Sequence, residues 1–396
     1  MRRISLFLLF CFMLAPCIFA DDNYGIRSRT FEIGIANSSI GLSNDLLSVS
    51  DIFQETAVID IDGLKKGFNM NLDLGITPLH FSFNRDNNWG FGFSVGLNLT
   101  GIIDLSGSMI TFGQAVNAKS DVGGGAFINA EIPIFFHISR FKVKVGPSVF
   151  YPLLFVEPDI SYTNRIVTGG TELDLRYNMR VFTPASMEDG SLSGITAAPG
   201  IDLNLGIEFP FSDAIGLSRK VKFLDFKIGL DLYNLPLFPA QLNDYMEVFG
   251  RIGSDDPINI LGDGLGDLMD YVSGGTEYGS QNIGVFRPFK LLTWADWQPF
   301  GPAFSLIPTV GFTYNPLYSR QLSLEYGLKT SLNLGNVFIA TVGVGYYDRL
   351  WKNSLDLAIN MRLMEINLGF DMRSADFIKK WQESGFGMNV GLKFGW

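Results

Sequence analysis

The chain has 396 residues, a formal charge of −10, and only 18% charged against 47% hydrophobic residues. That acidity argues against nucleic acid as a partner. With 35 Phe and 44 Gly the chain is rich in apolar residues. Yet nothing beyond the first segment approaches the roughly 20 consecutive apolar residues of a membrane-spanning helix.

Arg2 and Arg3 form a short basic region, and Ile4 to Leu14 are almost wholly apolar. Pro16 and Ala20 lead into Asp21 and Asp22, the pattern of a secretory signal cleaved after Ala20. Leu14-Ala15-Pro16-Cys17 sits where a lipobox would, but proline before the cysteine fits acylation poorly. Cys11 and Cys17 both lie within 1–20, so the processed chain has no cysteine for a disulfide, nucleophile or metal. Losing two arginines moves the formal charge from −10 to −12.

Residues 21–65 contain one strand-like run, Phe31 to Ile35, and a short helical stretch around Asn44 to Phe53. This segment is expected to plug a barrel from within, with an extra periplasmic element as the other reading.

From about residue 66 a period-two rhythm takes over. Phe68, Met70, Leu72, Leu74 and Ile76 alternate with Asn69, Asn71, Asp73 and Gly75. Similar runs cover 89–100, 173–181, 201–209, 224–232 and 322–334. The chain ends on Phe386, Met388, Val390, Leu392, Phe394 and Trp396, separated by Gly387, Asn389, Gly391, Lys393 and Gly395. A strand sends successive side chains to opposite faces, so each run has one apolar and one polar face. Runs of about nine to twelve residues suit tilted strands that cross a bilayer, with the charged face lining a hydrated interior. The fold class predicted is all-β: a transmembrane antiparallel β-barrel over 66–396, with about 14 strands (16 possible). Residues 157–182 are the weakest pair, and 14 follows if they project from the rim as a hairpin.

Asp86-Asn87-Asn88, Gly335-Asn336 and Leu363-Met364-Glu365 read as tight turns. Residues 101–120, 183–195, 235–281 and 374–384 read as longer connections at the opposite end, the asymmetry of outer-membrane barrels. Trp89, Trp294, Trp297, Trp351 and Trp396 stand near strand ends, as an interfacial girdle requires. Gly123-Gly124-Gly125 reads as a bend in a barrel strand, since no Lys-Ser/Thr helix follows to make a phosphate loop. Polar-face charges such as Arg176, Arg180, Lys329, Asp356, Arg362, Asp371 and Arg373 mix both signs, which favours pairing inside the lumen over ion selection.

The longest connection, 235–281, is expected to be an external loop with short helices. Leu261, Leu265, Leu268, Met269 and Val272 fall on one helical stripe, and Phe249 and Ile252 suggest a second short turn of helix. Such a stripe can bind an apolar ligand or simply pack on the rim. Asp263, Asp267 and Asp270 lie among glycines without the spacing of an EF-hand, so no metal is expected.

In layout the chain resembles the FadL family of outer-membrane transporters for long-chain fatty acids and other hydrophobic molecules. The shared features are an N-terminal segment before the first strand, about fourteen strands, a helical external loop and an aromatic C-terminus. Ile76-Thr77-Pro78-Leu79-His80-Phe81, Asp86-Asn87-Asn88 and Trp89-Gly90-Phe91-Gly92 resemble an early family hairpin. An Asn-Pro-Ala motif, frequent near the family's N-terminus, is absent from 21–65. The resemblance implies a bacterial outer-membrane location in contact with outer-membrane lipid. It also implies a hydrophobic small-molecule substrate captured by Phe249, Ile252, Leu261, Leu265, Leu268, Met269 and Val272. Release would be sideways, once the plug shifts. The C-terminal strand ending at Trp396 is expected to engage the barrel-assembly machinery. A general diffusion porin and a surface-exposed structural or adhesive barrel remain the alternatives.

Catalysis has little support. His80 and His137 are the only histidines, neither sits in a partner cluster, and no G-x-S-x-G elbow is present. No enzyme activity and no cofactor are expected.

Overall fold

The computed structural model describes residues 29–44, 67–85, 88–106, 119–167, 170–188, 191–214, 226–254, 272–318, 321–374, 377 and 385–396. The first strands are β1 (Phe31–Asn44), β2 (Gly67–Arg85), β3 (Trp89–Ser106), β4 (Lys119–Glu131), β5 (Ile134–Ile138), β6 (Phe141–Val167) and β7 (Gly170–Thr183). Then come β8 (Ala185–Glu188), β9 (Ser191–Ile195), β10 (Gly200–Phe209), a helical turn α1 (Phe211–Ala214), β11 (Phe226–Phe238) and β12 (Ala240–Ser254). The rest are β13 (Val272–Val285), β14 (Phe289–Trp297), β15 (Pro299–Pro302), β16 (Phe304–Tyr314), β17 (Leu322–Leu334), β18 (Phe338–Tyr347), β19 (Leu350–Asn360), β20 (Met364–Ser374) and β21 (Gly385–Gly395).

Pairing is antiparallel throughout. The ring runs β1, β2, β3, β4 with β5, β6, β10, β11, β14, β16, β17, β18, β19, β20 and β21. β21 then pairs back onto β1, from Glu32↔Gly395 to Ser43↔Gly385, which closes a 14-strand barrel. Closure leaves no unpaired edge in the ring, as hydrocarbon surroundings demand. The start of β1 and the end of β21 meet at one mouth, where the Phe31 amide donates to the Trp396 carbonyl at 3.1 Å. The turns at that mouth are short. At Gly335 and Asn336 both residues have positive φ, 65° and 57°, as a type I′ hairpin turn needs. The β19–β20 turn falls at 361–363, two residues before the expected position.

The outer face is apolar, with Val310 60%, Val342 59% and Phe370 47% exposed. Aromatic pairs ring both ends of this band. Phe31–Trp396 (4.7 Å), Phe83–Trp89 (5.6 Å) and Phe141–Phe209 (4.9 Å) lie at the mouth where β1 starts and β21 ends. Tyr326–Tyr346 (5.8 Å) and Tyr346–Trp351 (5.3 Å) lie toward the far mouth. The run from Phe338 to Tyr346 rises about 26 Å along its strand, or about 20 Å along a tilted barrel, close to the lipid-facing band of such proteins. Val342→Lys, midway between these rings, is therefore expected to cost about 2–4 kcal/mol in lipid vesicles. An unchanged urea midpoint would show that Val342 does not face hydrocarbon.

Two expectations are corrected. Residues 21–65 are not a plug segment as a whole, because 31–44 form β1 and pair in the wall with both β2 and β21. The helical stretch expected around Asn44 to Phe53 lies, beyond residue 44, outside the described residues, as does the signal at 1–20. In the second, 235–281, the described residues 235–254 and 272–281 are strand rather than loop, and 255–271 lie outside the described residues. β11 runs on through Pro239 into β12, and β13 returns to β14. Above the ring, β12 pairs with β7 and β13, and β7 pairs with the second half of β6. The weak pair at 157–182 is thus a hairpin standing off the rim, part of a four-strand extension at the far mouth. β8 and β9 make a separate small hairpin.

Candidate functional site in the lumen

The inner face of the wall carries the polar half of each alternating run. Arg373 on β20 grips Asp371 through two hydrogen bonds, Nε–Oδ1 2.6 Å and Nη2–Oδ2 2.7 Å, and reaches Asp73 on β2 through Nη1 at 3.2 Å. Thr100 on β3 donates to Asp73 at 3.1 Å. Farther round the same side of the ring Lys290 contacts Glu325 at 2.9 Å and Asp348 at 3.8 Å, and Lys352, the ladder partner of Arg373, contacts Asp348 at 3.3 Å. Thr313 donates to Glu325, whose side chain is fully buried. Opposite charges therefore pair along the inner wall between strands close in the ring, the filler role their mixed signs suggested. Asp348 and Arg349 form the turn between β18 and β19 with φ of 52° and 66°. Two non-glycine residues in this strained region hold their side chains over the lumen.

Toward the far mouth the lumen turns apolar. Ile102, Phe127, Phe150, Phe182, Ala240, Leu242 and Val285 form one buried cluster. They face inward because Ile102 opposes Gly123 and Phe127 opposes Asn98, whose side chain donates to the inward Asn129 at 2.9 Å. Arg287 borders the cluster, with Nε and Nη2 each 2.7 Å from Asp202 and its guanidinium 5.3 Å from the Phe150 ring.

The cluster is completed by the connection between β16 and β17. Leu317 and Tyr318, 3% and 6% exposed, fold into it. Tyr318 forms an isolated backbone bridge with Gly123 on β4, and its hydroxyl meets Thr100 at 2.7 Å. The Arg349 guanidinium lies 5.8 Å from its ring. Burial, and the nearby Asp73 carboxylate, push the Tyr318 phenol up, so it stays protonated. β16–β17 and β3–β4 lie on nearly opposite sides of the ring. Fourteen strands about 4.8 Å apart enclose a diameter of more than about 20 Å. The connection therefore extends inward to reach Gly123. Glycine at 123 permits this, because a Cβ there would run into the Leu317 carbonyl oxygen.

Of the sequence-derived capture residues, Phe249, Ile252 and Val272 lie among the described residues. Phe249 lies on β12, 37% exposed, and Ile252 faces Val272 across the β12–β13 ladder. The short helix expected at Phe249 and Ile252 is therefore strand. Leu261, Leu265, Leu268 and Met269 lie outside the described residues, as do Asp263, Asp267 and Asp270. Trp294 is not a girdle residue: it turns inward, donates to Asp231 at 2.6 Å, and leaves no room for a Cβ at Gly229. No sequence pattern singles out 315–321. The available signals were Asn315-Pro316, a turn dipeptide, and the glycine triplet that receives Leu317 and Tyr318.

No family model matches the chain, and no curated protein does either. Among solved structures, the toluene transporter TodX of P. putida is similar at 11% identity and a TM-score of 0.47, over 94% of each chain. The translocator domain of the autotransporter NalP from Neisseria meningitidis is similar at 9% identity and 0.37, over 95% of this chain and 91% of that one. A mutant Rh. blastica porin aligns at 8% identity and 0.26, over 92% of this chain and 100% of the porin. All three likenesses are faint, and the closed 14-strand ring stands on this chain's own hydrogen bonds.

Proposed function

We propose that the protein is a bacterial outer-membrane transporter for hydrophobic small molecules, long-chain fatty acids among them. One observation carries this reading: the lumen holds a closed apolar cluster where a diffusion channel would hold water. Each methylene prefers apolar surroundings by about 0.8 kcal/mol, so a path for such solutes needs apolar footing inside the wall. The lipid-facing band supports the membrane setting, and the aromatic end of β21 supports engagement of the assembly machinery. The stripe at Leu261, Leu265, Leu268, Met269 and Val272, with Phe249 and Ile252, is proposed to collect the solute outside.

The protein in lipid vesicles is expected to take up a labelled fatty acid faster than protein-free vesicles and to exclude a sugar of similar mass. Equal entry of both solutes would favour a diffusion porin, the reading that the charged belt around Arg373 and Lys290 supports. Leu265→Asp with Met269→Asp is expected to slow fatty-acid uptake several-fold. Unchanged uptake would remove the stripe from the path.

A further inference from the structure

We infer that the recess over Gly206, just inside the mouth where β1 starts, binds a small zwitterion with a quaternary ammonium at one end and an anionic group at the other. Phosphocholine is the simplest solute of this kind. The site lies in the polar half of the lumen and does not depend on the transport reading.

Ladder register places its parts. Lys144, Gly206 and Asp231 oppose one another in one row across β6, β10 and β11. Lys142, Glu208 and Gly229 form the next row, which continues to Trp294 on β14. Lys142, Lys144, Gly206, Glu208, Asp231 and Trp294 line a recess of about 250 Å³, part of it open to the lumen. Its floor is clear because residue 206 has no side chain. A Cβ there would come within 2.7 Å of Asp231 Oδ1 and 3.2 Å of Lys144 Cβ.

The charges are sorted across this floor. Both lysines stand on β6, with the Lys142 ammonium 5.5 Å from the centre of the Phe135 ring. Asp231 stands two strands away, about 10 Å between backbones, with Trp294 beside it. Glu208, on the strand between, is balanced by Lys227 at 3.4 Å. The indole is fixed in place. Its Nε1 donates to Asp231 Oδ2 at 2.6 Å, and its rings lie over Gly229, where a Cβ would come within 2.1 Å of them.

An indole held beside a carboxylate suits a quaternary ammonium, which has no N–H to donate and is drawn by the π face and the nearby charge. A lone anion here would meet Asp231 and Glu208, and a lone cation would meet both lysines. A solute that carries both charges finds a favourable partner at each end. The recess therefore favours the dipole over either half.

Titration of the full-length processed protein in maltoside micelles, where both mouths face solvent, tests this. Phosphocholine is expected to change the tryptophan fluorescence and to bind roughly tenfold more tightly than choline or inorganic phosphate. Calorimetry then compares variants. Trp294→Leu should weaken phosphocholine binding roughly tenfold. Asp231→Asn keeps an acceptor for the indole but removes the charge, for about a threefold loss. Lys144→Gln should weaken phosphocholine to a similar degree and leave choline unchanged, a split that a merely structural role would not produce. Heat-modifiable migration on gels confirms that each variant is folded, and Asp231→Asn and Lys144→Gln serve if Trp294→Leu is not. No binding by wild type, equal affinity for the three probes, or unchanged phosphocholine affinity in the folded variants would overturn the site. Dihexanoylphosphatidylcholine carries the same head on two short acyl chains and distinguishes the sources. Tighter binding than phosphocholine would assign a lipid head, equal or weaker binding a free solute, and both support the site.

Discussion

Replacing Arg287 by Met is expected to lower the barrel's unfolding free energy by about 3–5 kcal/mol, the usual cost of leaving one member of a buried ion pair alone. Arg287 and Asp202 are 6% and 1% exposed. The guanidinium makes two 2.7 Å bonds to the carboxylate and one of 2.9 Å to Ser148. Its position explains why a charge is tolerated so deep. Arg287 lies in the short break between β13 and β14, where the chain passes from the rim extension into the ring. Asp202 and Ser148 oppose one another on β10 and β6, the two strands that the extension parts above this level. The pair therefore ties three converging segments. With Met at 287, Asp202 keeps a buried charge beside Phe150 with no cation to balance it. Pairing Arg287→Met with Asp202→Leu removes that charge and should recover most of the loss, since coupled sites are not additive. Urea midpoints in vesicles decide it. A double variant as unstable as the single one would mean that shape, not charge balance, is what Arg287 supplies.

The wall was legible in sequence because its physics is local. A lipid face and a wet face on the same strand force period two, and the predicted run at 322–334 matches β17 residue for residue. The lumen was less legible because its contacts join residues far apart in the chain. Arg373 and Asp73 are 300 positions apart, and no spacing rule connects them. The β12 misreading has a local cause. Tyr245, Phe249 and the buried Leu242 serve the inner side, while Met246 and Val248 alternate with them, and the register slips between Leu242 and Asp244. With apolar residues on both faces and a phase break, alternation vanishes and helical spacing appears by default. The plug expectation missed 31–44 for another reason. Phe31 to Ile35 was seen as strand-like, but its polar continuation, Asn37 to Asn44, hid a strand whose inner face sits over the seam. The glycine triplet was read as a bend, which overlooked that a missing side chain can make room for another segment.

The glycines of the closing seam lead to the second large effect. Asp371, Gly387, Gly41 and Asp73 form one row across β20, β21, β1 and β2. Arg373 lies flat over the two glycines with a carboxylate at each end, so one side chain spans the junction of the first and last strands. The three atoms nearest a Cβ on Gly41 all belong to the Arg373 guanidinium. An arginine tip usually swings aside cheaply. Here doing so would break its bonds to Asp371 and Asp73, so Gly41→Ala is expected to destabilise by about 2 kcal/mol, within the range for overpacking. Arg373→Ala alone should cost about 3 kcal/mol by leaving two carboxylates facing each other across the seam. In the Arg373→Ala background the sign should reverse. Alanine at 41 then loses its nearest obstacle and gains the roughly 0.5–1 kcal/mol by which it exceeds glycine in a strand. Heat-modifiability midpoints of the four proteins form a closed cycle. Equal costs of Gly41→Ala in both backgrounds would show that the glycine serves backbone needs. Opposite signs would show that the seam's small residues exist to let one arginine lie across the place where the barrel closes.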